Sequence, residues 1–290
     1  MRKGTALIIF IFHIIFFAVT SYGEAQCGLS IYPTKLVIER NDKSAELFAT
    51  NNGSNTCTFK SQVIDIETFE DGQIKLDQQN VAFSAKNMLR VSPKVFTLAP
   101  NAQQRIRIKV RRSSDISNGE YRSHILMSVV GKVQTNKGKE GNEESALTLG
   151  SVPININISF PVLIRVGKTD SNISIDKIAL EKDIKEGAPV LDVTLKRAGN
   201  KSVYGFLNID YRNKKGEIIP IERTGIFAIY RSIDMRIQKI KLEKLKNLTK
   251  DGGQLIVRFI KSNSQNNRDS ILKFETSDHY KLLDKKEIDI

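Results

Sequence analysis

Between Ser151 and Val166 the chain places Val152, Ile154, Ile156, Ile158 and Phe160 at every second position, with Pro153, Asn155, Asn157 and Ser159 between them. Successive side chains on a β-strand point to opposite faces, so this spacing gathers five apolar groups on one face and argues for a strand over a helix. The run is longer than one half-buried strand of ordinary length requires. Such a strand can offer its apolar face to another protein. Shorter alternating runs recur at 29–40, 45–50, 58–67, 105–111 and 121–132, and again at 173–180, 190–196, 203–211, 226–230, 235–242, 254–260 and 270–276. Turn residues separate them, among them Asn51-Asn52-Gly53, Glu70-Asp71-Gly72 and Ser117-Asn118-Gly119. Helical periodicity is hard to find.

A chain of 290 residues exceeds the usual single domain. About seven short strands in each half predict an all-β protein of two immunoglobulin-like β-sandwich domains. The first domain is expected over 26–168 and the second over 169–290, with the small polar stretch 167–171 as the linker. Residues 132–150 form a polar insertion too long for an ordinary turn. The segment from His279 onward is expected to fray.

Residues 1–25 read as a cleavable signal peptide. Arg2 and Lys3 precede an apolar run from Ala6 to Val19, and Gly23-Glu24-Ala25 supplies a small-x-small cleavage site. An uncleaved membrane helix is the competing reading, and the run is short for it. Cys27 follows the cleavage site, but Glu24, Ala25 and Gln26 before it do not make a lipoprotein signal. Cys27 and Cys57 are the two cysteines of the chain, and export makes a disulfide between them chemically reasonable, against two reduced thiols.

The formal net charge is +13. Nucleic acid is the usual partner of so basic a chain inside a cell, and export argues against it. The charge is spread along the sequence, which fits a solvated surface with basic clefts open to carboxylate-bearing partners. The catalytic inventory is poor. Beyond the signal only His124 and His279 remain, without metal-ligand spacing, and neither a nucleophile elbow nor a phosphate-binding glycine loop occurs. No cofactor, metal or small-molecule substrate is expected, and a structural role is expected for His124.

Three stretches resemble the periplasmic chaperones of fimbrial and pilus assembly. Leu29-Ser30-Ile31-Tyr32-Pro33-Thr34-Lys35-Leu36-Val37-Ile38 is similar to the family's first strand. Leu89-Arg90-Val91-Ser92-Pro93-Lys94-Val95-Phe96-Thr97-Leu98-Ala99-Pro100, with Gln103-Gln104-Arg105-Ile106-Arg107 after it, resembles the family's most specific stretch. The alternating strand ending in Val162-Leu163-Ile164-Arg165 is the third. Looser likeness continues through Gly119 to His124 and Lys196 to Gly205.

The resemblance implies a boomerang of two sandwiches that receives pilus or fimbrial subunits in the periplasm and passes them to an outer-membrane usher. A strand of the chaperone completes the subunit, and a cation on the first strand holds the subunit's C-terminal carboxylate. Lys35 stands at that cation's position. The donor residues would be Val152, Ile154, Ile156 and Ile158, with Phe160 holding the strand in its own domain. The family's second cation aligns with Pro161, and Arg122 is the candidate to replace it. Arg165 matches an arginine of the interdomain ion cluster, whose acidic partner on the preceding strand looks replaced around Arg122. A self-capped dimer is a further expectation. Two other readings stay open: a secreted structural or adhesive module that keeps the long strand for its own core, and a hydrolase built around His124.

Overall fold

The predicted first strand is broken where Pro33 withdraws a backbone N–H, and the two pieces join different sheets. β1 (Ser30–Tyr32) pairs antiparallel with β3 (Ser44–Thr50), whereas β2 (Leu36–Ile38) pairs parallel with a strand of the opposite sheet. Pro33, Thr34 and Lys35 make the crossing. The computed structural model describes residues 27–130, 157–182, 187–247, 252–262 and 280–290.

The first sandwich continues with β4 (Cys57–Ile64), β5 (Ile66–Thr68), β6 (Ile74–Leu76), β7 (Leu89–Ser92), β8 (Val95–Leu98), β9 (Gln103–Val110), β10 (Gly119–Val130) and β11 (Asn157–Val166). One sheet has the order β1-β3-β9-β7 and the other β2-β11-β10-β4-β8. These are the two sheets of an immunoglobulin-like sandwich. Alternation fills the space between them: Leu47, Phe59, Ile106, Ile108, Ile125 and Met127 are fully buried there, each worth about 1.5–3 kcal/mol by transfer from water. The predicted strand 58–67 is likewise divided, because after Ile64 the chain leaves the sheet and β5 folds back on β6 as a separate hairpin.

Cys27 and Cys57 form a disulfide with Cα atoms 6.0 Å apart, joining the segment that enters β1 to the start of β4. Gly28 and Gly53 lie beside it with their backbones in contact, and a Cβ on Gly53 would stand 2.5 Å from the Gly28 nitrogen. Neither position has room for a side chain.

The second sandwich is built from β12 (Ser171–Lys182), β13 (Pro189–Gly199), β14 (Val203–Asn213), β15 (Ile218–Arg223), β16 (Phe227–Ile229), β17 (Met235–Lys241), β18 (Gly253–Ser262) and β19 (Tyr280–Asp289). Its sheets run β12-β13-β17 and β15-β14-β18-β19, with β16 also on β14. Leu191, Val193, Leu195, Leu207, Ile209, Leu255, Val257 and Phe259 form its core. β19 corrects the expectation of a frayed C-terminus. Leu283, Ile288 and Ile290 pack against the core, and β18 supplies the backbone partners that isolated terminal residues lack. The predicted strand 270–276 lies outside the described residues. Among the described residues there is no α-helix, only 3₁₀ turns at Lys86–Met88 and Glu243–Asn247.

Candidate functional site

β11 is the strand around which the site is arranged. Its inner face gives Phe160, Val162 and Ile164 to the first core, and Ile158 packs half-buried against the same core. On one side β10 pairs with all of it, from Asn157↔Ser128 to Val166↔Gly119. On the other side β2 covers only Val162, Leu163 and Ile164. Among the described residues no strand lies along the outer edge of β11 from Asn157 to Pro161. Lys35 immediately precedes β2, so the parallel register sets it level with Pro161, where the covered edge gives way to the open one.

The second sandwich closes on the same region. Tyr204, on β14, places its ring under the Lys35 ammonium, 4.1 Å from the centroid. Tyr230 meets Tyr204 edge-on with centroids 6.1 Å apart, and the Arg122 guanidinium stacks 3.5 Å from the Tyr230 centroid. Two cations of the first sandwich thus rest on two aromatic rings of the second, contacts worth about 0.5–2 kcal/mol each. Arg122 is also buried, its Nη2 donating to the Ile66 carbonyl at 2.8 Å and to Thr68 Oγ1 at 3.1 Å.

Glu120 ties the junction together. It lies opposite Arg165 in the β10–β11 register, its side chain only 1% exposed. Oε2 accepts from Arg165 Nε at 3.3 Å, and Oε1 accepts from the Ser202 backbone N–H at 3.2 Å in the second sandwich. Its own backbone N–H donates to the Asn200 carbonyl at 2.8 Å, and its carbonyl accepts from Arg231 Nη1 at 3.2 Å. Arg165 pairs on its outer side with Glu39. Gly119 (φ +139°) makes room for this closure, because a Cβ there would stand 2.2 Å from Arg231 Nη1. At a second point of contact the Ile237 N–H of β17 donates to the Glu70 carbonyl in the turn between β5 and β6, at 2.8 Å.

The electrostatics follow from this burial. Desolvation, then the charge of Arg165, pulls the Lys35 ammonium below its usual range, and Glu120 opposes the shift. Desolvation pushes the Tyr204 hydroxyl well above its ordinary value, with Tyr230 and Glu120 adding to the effect. His124 is pulled down to about 3 by burial and then by Arg122. Its Nδ1 is buried with no hydrogen-bond partner among the described residues. Ser123, on the opposite face of β10, donates instead to Asp65. Among the described residues no carboxylate orients the His124 imidazole through Nδ1. Among the described residues no three His, Cys, Asp or Glu side chains could hold a metal ion.

Lys35 and Arg165 lie at the junction of the two sandwiches, and Arg122 is there too, its guanidinium engaged by Ile66, Thr68 and Tyr230. That engagement is at odds with a carboxylate anchor at Arg122. The acidic partner of Arg165 is not replaced, as the sequence reading held: it is Glu120, two residues before Arg122. The signal was a single carboxylate directly across the strand pair from an arginine, which needs the register of β10 and β11 to recognise. Tyr204, Tyr230 and Arg231 were also missed, since nothing in an isolated strand marks a residue as belonging to a domain junction. Val152, Ile154 and Ile156 lie outside the described residues.

No family model and no curated protein matches this chain. Among solved structures it is similar to the YadV chaperone, at 12% identity over 90% of this chain and 99% of that one, with a TM-score of 0.45. It is similar also to the Pseudomonas aeruginosa CupB2 chaperone, at 10% identity over 90% of this chain and 98% of that one, with a TM-score of 0.40. A third is the Salmonella enterica SafB chaperone, solved in complex with the SafA pilin, at 13% identity over 81% of this chain and 90% of that one, again with a TM-score of 0.40. Each of these three structures is of a chaperone or contains one.

Proposed function

We propose that this protein is a periplasmic chaperone that binds exported pilus or fimbrial subunits by adding β11 to their incomplete sandwich and holding their C-terminal carboxylate at Lys35. The observation that carries the reading is the half-covered edge of β11, which no strand among the described residues covers from Asn157 to Pro161 and which ends at a lysine. Strand addition at such an edge gives main-chain hydrogen bonds for affinity and side-chain pockets for selection. Direction follows from charge. A guest strand continuing the line of β2 and running parallel to β11 brings its C-terminus to Lys35, whereas an antiparallel guest brings an ammonium there. The lysine favours the first.

In this reading Val152, Ile154 and Ile156 fill the groove of the subunit, Ile158, half-buried against the chaperone's own core, gives only its exposed part to the guest, Phe160 stays in that core, and an outer-membrane usher receives the complex. Arg122 braces the junction through Tyr230 instead of touching the guest. The test is a photo-crosslinking amino acid placed at Ser159, on the open edge, and at Val95, on the far edge of the same sheet, in the native periplasm. A crosslink to an exported subunit from position 159 and none from 95 is expected. Equal labelling from both positions, or none from 159, would refute the reading.

A further inference from the structure

The outer face of the β1-β3-β9-β7 sheet is strongly basic. Its register sets Arg90 opposite Lys109, then Ser92, Arg107 and Glu46 in the next row, then Arg105, Phe48 and Tyr32. Alternation turns these side chains away from the core, which takes Val91, Ile106, Ile108 and Leu47 from the same strands. Neighbouring strands lie about 4.8 Å apart and alternate residues about 7 Å, so the four cations fall within about 15 Å of one another. Glu46 is the one carboxylate among the described residues of this face, and Arg105 and Arg107 share it at 3.6 and 3.0 Å. Arg90 donates to the neutral Asn87 and Leu89 carbonyls. Like charges directly opposite one another weaken a strand pair, so Arg90 and Lys109 stand together at a cost to the fold.

A depression of about 460 Å³ opens between these side chains, lined by Arg90, Ser92, Gln104, Arg105, Arg107 and Lys109. It forms where β7 leaves β9: the pairing ends at Ser92↔Arg107, and no strand among the described residues continues it beside Gln103 to Ile106. Beyond Arg105 the face turns aromatic. Tyr32 and Phe48, a cross-strand pair, are 56% and 38% exposed. Cations on a flat face edged by exposed rings suit a bilayer interface, where charge meets lipid phosphates and rings lie at headgroup level. The rings favour a bilayer over a free anion or an acidic peptide, which the cations alone would satisfy.

We propose that this face docks on an anionic phospholipid surface, with Arg90, Arg105, Arg107 and Lys109 against the lipid phosphates and Tyr32 and Phe48 in the headgroup layer. The inference goes beyond the chaperone reading and does not rest on it, because the docking face belongs to one sheet and β11 to the other. A docked sandwich keeps the half-covered edge of β11 free for a guest.

The probe is a sucrose-loaded vesicle of phosphatidylcholine, alone or mixed with phosphatidylglycerol, sedimented with the mature protein. Binding to the mixed vesicles only, weakening as salt rises, is expected. Arg90→Gln with Lys109→Gln should lower that binding roughly thirtyfold, the ordinary worth of two cations beside an anionic surface. Because the whole chain is basic, Lys214→Gln with Lys215→Gln, in the exposed turn between β14 and β15, removes the same charge elsewhere and should leave binding nearly unchanged. Equal losses from the two pairs would reduce the effect to net charge and overturn the site. Lys109→Gln alone relieves Arg90, so it should keep or raise the melting temperature and still weaken vesicle binding about fivefold; unchanged binding would overturn the site as well. The sequence lacks tryptophan, so Phe48→Trp reports on the face directly. Its emission should shift to the blue with mixed vesicles, and not with poly-glutamate or inorganic phosphate. No shift with vesicles, or release from them by inorganic phosphate at matched phosphate concentration, would leave an anion site only. Tighter binding to poly-glutamate than to vesicles would assign the face to an acidic protein, and either result refutes the membrane.

Discussion

Acid should weaken this protein through His124 before most of its carboxylates matter. The imidazole is 6% exposed on β10, between Ile64 of β4 and Pro161 of β11, and Arg122 adds its charge from two residues along the same strand. Folded, it stays neutral down to about pH 3. Unfolded, it binds a proton near pH 6.5. Below about pH 6.5 the unfolded chain therefore holds one more proton than the folded one, and stability falls with pH at about 1.4 kcal/mol per unit until the folded group titrates near 3. At pH 4.5 the loss from this one residue is about 2.5 kcal/mol, a large part of the roughly 5–15 kcal/mol by which a domain is stable. His124→Leu removes the proton site and the unpaired Nδ1 together. Urea unfolding followed by far-UV circular dichroism from pH 7.5 to 4.5 measures the difference, since tryptophan is absent from the sequence. The variant should lose about 2.5 kcal/mol less than the wild type over that range, with carboxylate effects cancelling in the comparison. Parallel profiles would refute the neutral buried histidine.

Further outcomes follow from the same structure. Cys27→Ser with Cys57→Ser opens a loop of 30 residues and should cost the first sandwich about 3–4 kcal/mol in urea unfolding; two free thiols in non-reducing mass spectrometry of the wild type would contradict the bond. Lys35→Met should abolish subunit capture in a pull-down and cost the free protein only its contact with the Tyr204 ring, whereas Arg122→Met should lower the melting temperature further, because it orphans the Ile66 carbonyl as well as stripping Tyr230 of its cation. The opposite pattern would return Arg122 to the binding site. Ile154→Asp with Ile156→Asp should spare folding and prevent capture. If that variant unfolds the free protein, those residues belong to its own core and strand donation fails.

The two sandwiches were legible in the sequence because a half-buried strand writes its burial into every second residue. Ile106 and Ile108, or Leu191, Val193 and Leu195, announce an inner face without reference to any partner. The disulfide was a matter of compartment and an even count. The C-terminal strand was not legible, because Tyr280–Asp289 is charged and alternates poorly, and it is held by pairing to β18 more than by its own pattern. The sequence reading named only Arg165 as part of the junction, and that through the resemblance. Glu120, Arg165, Ser202 and Arg231 are scattered over more than a hundred residues, and only the register of β10 against β11 and the approach of the second sandwich make them one network. Lys35 was named through the resemblance of its stretch to a family's first strand. What it faces was decided by the break at Pro33 and by where β2 stops covering β11, and these are properties of two chain segments meeting in space.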